Sequence, residues 1–64
     1  MSLGNKRLAY EAARRGLSER RLAALLGCSP SAAHRYLAGL RVPEGRVLVA
    51  IERELGIPPA EFFA

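Results

Sequence analysis

Between Leu17 and Gly39 the chain reads LSERRLAALLGCSPSAAHRYLAG, a stretch that dictates two short helices joined by a three-residue turn. Ser18 offers a hydroxyl to an orphan amide one turn on, and Glu19 sits favourably in the dipole of the helix opened there. Leu22, Ala23 and Leu26 then fall on one apolar stripe, while Glu19, Arg20 and Arg21 keep to the wet side. Gly27 stops this helix, because glycine enters the left-handed conformation at little cost, and the chain reverses through Gly27, Cys28 and Ser29. Ser29 caps a second helix at once, and Pro30 suits its first turn, where a missing amide costs no hydrogen bond. From there Ala33, Tyr36, Leu37 and Leu40 recur at helical spacing as the inner face. Ser31, Ala32, His34, Arg35 and Ala38 lie opposite, and Gly39 closes the helix.

Helical patterning extends on both sides of this hairpin. A first helix is expected from about Asn5 to Arg15, with Asn5 near its cap, Leu8, Ala9, Ala12 and Ala13 inward, and Gly16 as the stop. Lys6, Arg7, Arg14 and Arg15 lie on its outer face. Leu40 to Pro43 reads as a loop, with Val42 held extended by the proline that follows. Val47, Leu48, Ile51 and Leu55 mark the inner stripe of a further helix that ends at Gly56, and Pro58-Pro59 separates it from a last turn, Ala60 to Phe63. Of the two final phenylalanines, either one caps the bundle while the other stays half exposed, or Phe62 and Phe63 form part of a dimer contact. Sixty-four residues amount to one domain, 1–64, with a thin core. Two Tyr and two Phe supply few aromatics, so leucine, isoleucine, valine and alanine must fill that core. The fold class expected is all-α, a compact bundle of four to five short helices.

Charge and residue usage narrow the function. Ten basic residues against six acidic ones leave a net charge of +4, which favours a polyanionic partner. The chain has no Asp, one His, one Cys and no glycine-rich phosphate loop, so it lacks the paired groups of nucleophilic or acid–base catalysis and is expected not to be an enzyme. His34 has no second ligand nearby, and neither a metal nor a cofactor is expected. Cys28 reads as a small buried hydrophobe in the turn rather than a redox sensor. With no signal peptide and no apolar run long enough to anchor it, the protein is expected to be cytoplasmic, with no membrane partner. Met1 to Leu3 read as an expression-vector remnant without function.

In the run Leu22-Ala23 through Leu26-Gly27, the caps before the second helix, Gly39, Pro43 and Leu55-Gly56-Ile57, the chain resembles the phage-repressor and Cro-like helix-turn-helix family, also called the xenobiotic-response-element family. The likeness covers nearly the whole chain. It implies a lambda-repressor-like DNA-binding domain, with the helix-turn-helix at about 18–39 and the helix from Pro30 to Ala38 in the major groove of double-stranded DNA. The implied base readers are Ser31, His34 and Arg35, of which Arg35 can donate two hydrogen bonds to guanine, while Ala32 is placed to meet a thymine methyl. Ser18, the amides beside it, Glu19, Arg20, Arg41 and Arg46 are the implied phosphate contacts, with Lys6 and Arg7 as weaker ones. Glu19 stands where many relatives grip the backbone with glutamine, and a carboxylate there needs shielding by Arg20 or Arg21.

The resemblance further implies a homodimer on a roughly palindromic operator, its recognition helices about 34 Å apart. Its members act as repressors, switch proteins or antitoxins, and a toxin partner is one consequence. Relatives often pair an arginine in the first helix with a glutamate in the recognition helix. Ala12 and Leu37 occupy those places here, so both are expected to be buried near each other, since replacing both charges together is tolerated where losing one is not. A protein-interaction module on the same fold, without DNA binding, is the competing function.

Overall fold

Three of the four helices begin where a serine oxygen takes up a free amide. In the computed structural model, which describes residues 2–63, Ser2 caps α1 (Leu3–Arg14), Ser18 caps α2 (Glu19–Leu26) and Ser29 caps α3 (Pro30–Leu37). Their hydroxyl oxygens accept from the amides of Asn5, Arg21 and Ala32 at 3.1, 3.2 and 3.1 Å. α4 (Arg46–Leu55) starts from Gly45 with no side-chain cap, and a 3-10 turn at Pro59–Phe62 completes the order. The described residues contain helices and no strand. Between α2 and α3 the reversal hangs on Gly27, whose φ of 73° lets the Cys28 amide return to the Ala23 carbonyl at 3.0 Å.

One core joins all of these elements. Leu8 of α1, Leu22 of α2, Ile51 of α4 and Ile57 beyond it are fully buried, with Ala33 and Tyr36 of α3 against them. α2 and α3 share the most extensive interface, α1 packs across α3 and the terminal turn, and α4 backs α2. The outer face of α3 is left uncovered: Ser31, His34 and Arg35 are all exposed.

Asn5 ties this arrangement together. Expected near a cap, it is instead 1% exposed, because α1 begins earlier, at Leu3, under the Ser2 cap. Its Nδ2 donates to the Tyr36 carbonyl at 2.8 Å and to the Arg41 carbonyl at 3.2 Å. Its Oδ1 accepts from the Ser2 hydroxyl. One side chain thus bonds a carbonyl in the last turn of α3 and another in the loop that leaves it, tying both to α1. Ser2 and Leu3 therefore take part in the fold, whatever the source of the first residues, while Met1 lies outside the described residues.

Other expectations also need correction. Ala13 is exposed and Ala9 half-buried, since the inner face of α1 runs through Gly4, Asn5, Leu8 and Ala12. Leu40 is 74% exposed. α3 ends at Leu37 with Ala38 as its cap, and the chain then turns at Gly39 so that the Leu40 amide meets the Arg35 carbonyl at 2.9 Å while its side chain leaves the helical stripe. Ala32, expected on the outer face, packs half-buried against the core. Phe62 is 3% exposed and belongs to the core, so it is removed from any dimer surface. It presses on Gly4, where an added Cβ would stand 2.5 Å from the ring. Ala12 is buried as expected, and Leu37 packs half-buried against the same core.

Two stability measurements check these contacts. Asn5→Asp exchanges the donor for a carboxylate facing two carbonyls, and a destabilisation of about 1–3 kcal/mol is expected in urea unfolding near neutral pH. Gly4→Ala gains about 1 kcal/mol of helix propensity, but overpacking against Phe62 costs about 1–3 kcal/mol. The net effect is a loss in the wild type that shrinks or reverses in a Phe62→Ala background, read as a double-mutant cycle.

Candidate nucleic-acid interface

Side chains on α3 are aimed by what the opposite face of that helix buries. With Ala33 and Tyr36 fixed inward and Ala32 leaning on the core, the residues left outside are Ser31 in the first turn, then His34 and Arg35. Arg35 has no ion-pair partner among the described residues and is free to reach outward. Ala32 offers less of its methyl than expected. His34 is engaged sideways: its Nδ1 lies 2.7 Å from Oε2 of Glu19, the first residue of α2. An ionised carboxylate only accepts, so Nδ1 carries the proton in this contact. Glu19 is thus partnered by His34 and not by Arg20 or Arg21, the shield expected for it.

Pairing of charges sorts the basic residues into two sets. Arg7 is bonded to Glu61 at the terminal turn, which withdraws it from the expected phosphate contacts. Arg14 and Arg15 reach Glu11 at 2.7 and 3.2 Å, and Arg53 reaches Glu54 at 3.2 Å. Arg41 lies 3.7 Å from Glu44 with its guanidinium 6.0 Å from the Tyr36 ring centre, and its carbonyl is held by Asn5. Among the described residues, those left without an acidic partner are Lys6, Arg20, Arg21, Arg35 and Arg46, and all are exposed. Arg20, Arg21 and Arg35 belong to the α2–α3 hairpin and Arg46 opens α4. Ser18 caps its own helix through the Arg21 amide, leaving the amides of Glu19 and Arg20 as donors at the start of α2.

Neither the His34–Glu19 contact nor the Asn5 node has a signature in sequence spacing, because each joins helices through space. The Cys28 thiol is half-buried against the core, and burial pushes its pKa up, so it stays in the protonated, unreactive form. No group of three or more His, Cys, Asp or Glu residues able to hold a metal occurs among the described residues. No helix there is long and apolar enough to cross a membrane.

A capped helix, a glycine turn and a second helix whose outer face is free, in a hairpin that carries three arginines without an acidic partner, define a helix-turn-helix DNA-binding domain. The profile of the helix-turn-helix family of Cro/C1 type matches residues 8–62, and the chain belongs to that family. Neither a curated protein nor a solved structure matches it.

Glu11 gives a pH-dependent test of the paired set. The Arg14 hydrogen bond, opposed by desolvation and reinforced by Arg15, holds its carboxyl below the ordinary value near 4.5. A carboxylate whose pKa is depressed on folding contributes stability above its unfolded pKa and loses it as pH falls through the folded value. Glu11→Gln is therefore expected to lower Tm at neutral pH, with the difference from wild type vanishing in acid below the carboxylate range, as followed by thermal melts across pH.

Proposed function

We propose that the protein is a sequence-specific double-stranded DNA-binding transcriptional regulator, a cytoplasmic repressor that lays α3 in the major groove. The observation that carries this reading is the uncovered face of α3, with Ser31, His34 and Arg35 outward, beside arginines that no glutamate neutralises. In this reading Arg35 reads guanine through O6 and N7, and Ser31 adds a permissive contact. Arg20, Arg46, Lys6 and the amides at the start of α2 meet phosphates and fix the register. Few long polar side chains line α3, so part of the selectivity rests on DNA shape.

The protein acts as a homodimer on a roughly palindromic operator, two recognition helices standing about one turn of DNA apart. Phe63, 68% exposed beside the buried Phe62, is the aromatic available to the dimer contact. Binding to an operator found by selection from random duplexes is expected to fall steeply with salt. Arg35→Ala should relax the preference at one base pair, by about 1–3 kcal/mol of discrimination. Arg20→Ala or Arg46→Ala should weaken all sequences alike and reduce the salt slope by about 1 per contact, measured by fluorescence anisotropy over a salt series. Salt-independent binding, or no preferred sequence, contradicts the assignment.

A further inference from the structure

His34 is the one exposed side chain on α3 whose orientation is set by another helix. Its Nδ1 is held 2.7 Å from Glu19 Oε2, although both side chains are about half exposed, at 59% and 51%. A contact this exposed contributes little to stability. Its chemical consequence is larger. A neutral imidazole carries one N–H and one bare nitrogen, and which is which decides whether its outer edge donates or accepts. An isolated neutral histidine side chain favours the proton on Nε2. The Glu19 carboxylate, as an obligate acceptor, draws it to Nδ1 instead and leaves Nε2, at the far edge of the ring, with a free lone pair.

We propose that Glu19 is a positioning residue for base recognition, fixing His34 in the Nδ1–H tautomer so that Nε2 acts as a hydrogen-bond acceptor toward a base edge in the major groove. The role rests on the DNA-binding reading above. In the major groove an acceptor is matched only by the exocyclic amino groups, N4 of cytosine or N6 of adenine, whereas guanine O6 and N7 and thymine O4 are themselves acceptors and reject it. Next to it on the helix, Arg35 is an obligate donor. α3 thus presents two neighbouring readers of opposite polarity, a donor in Arg35 and an acceptor in His34. Glu19, which as a phosphate contact is electrostatically unfavourable, gains a role that needs its negative charge: glutamine in its place could donate as readily as accept and would leave the ring free to turn over its proton.

Two measurements, one without DNA, test this. Long-range nitrogen–proton NMR spectra of the protein, recorded near pH 8, assign the tautomer of its single histidine directly. The expected result is a protonated Nδ1 and a bare Nε2 in the wild type, with the proton moving toward Nε2 in Glu19→Gln. A wild-type ring protonated on Nε2 overturns the proposal.

Site selection from random duplexes at the same pH supplies the second readout. Wild type is expected to enrich cytosine or adenine at one strand position beside the Arg35 site. Glu19→Gln should lose roughly threefold to tenfold of that preference, and His34→Ala all of it, while enrichment at the Arg35 position persists. Unchanged preference at that position in both variants overturns the role even if the tautomer is as expected. A wild type that selects no sequence at all overturns the DNA-reading assignment, and this role with it, a result told apart from the others by the loss of enrichment at the Arg35 position as well.

Discussion

The amide of Asn5 is the interaction on which the placement of the recognition helix depends. The carbonyls of Tyr36, in the last turn of α3, and of Arg41, in the loop beyond it, are both met by one buried Nδ2 from α1, and the Tyr36 carbonyl also accepts from the Gly39 amide at 3.2 Å. The bond fixes where α3 stops, how the loop leaves it and how α1 crosses it. All three are required if Ser31, His34 and Arg35 are to stay outward. Ala12 of α1 is buried and Leu37 of α3 half-buried against the core, so a neutral amide and hydrophobic packing join these helices to the rest of the fold.

Much of the hairpin could be read from the sequence because its determinants are local. Serine caps, a glycine at positive φ and a proline in the first turn each act within a few residues, and together they set both ends of α2 and the start of α3. The inner stripe of α2 was equally legible, whereas in α4 Ile51 and Leu55 are buried, Val47 and Leu48 only half so, and Ala50, absent from the expected stripe, joins the core. What local rules missed is what tertiary packing decides. Asn5 reads as a surface cap residue until Ser2 takes that place, and Leu40 continues the periodicity of α3 on paper although the helix has already ended. Adjacent phenylalanines look equivalent, yet only Phe62 falls on the inward side of the 3-10 turn.

Charge placement was legible only as a total. The net of +4 indicates an anionic partner without saying which face meets it. The glutamates supply that information, since Arg7 meets Glu61 across 54 residues and His34 meets Glu19 across 15, separations that carry no periodic signal. Glu11 and Glu61 engage Arg7, Arg14 and Arg15 on the flank formed by α1 and the terminal turn, where Lys6 keeps its charge unpaired, and the guanidinium groups without an acidic partner among the described residues are Arg20, Arg21 and Arg35 on the hairpin and Arg46 at the head of α4.

Gly4 and Phe62 meet ring against backbone from opposite ends of the described chain. The first turn of α1 and the 3-10 turn are therefore mutually dependent: each supplies the surface that keeps the other from water, so loosening either one exposes an aromatic ring and the helix it covers.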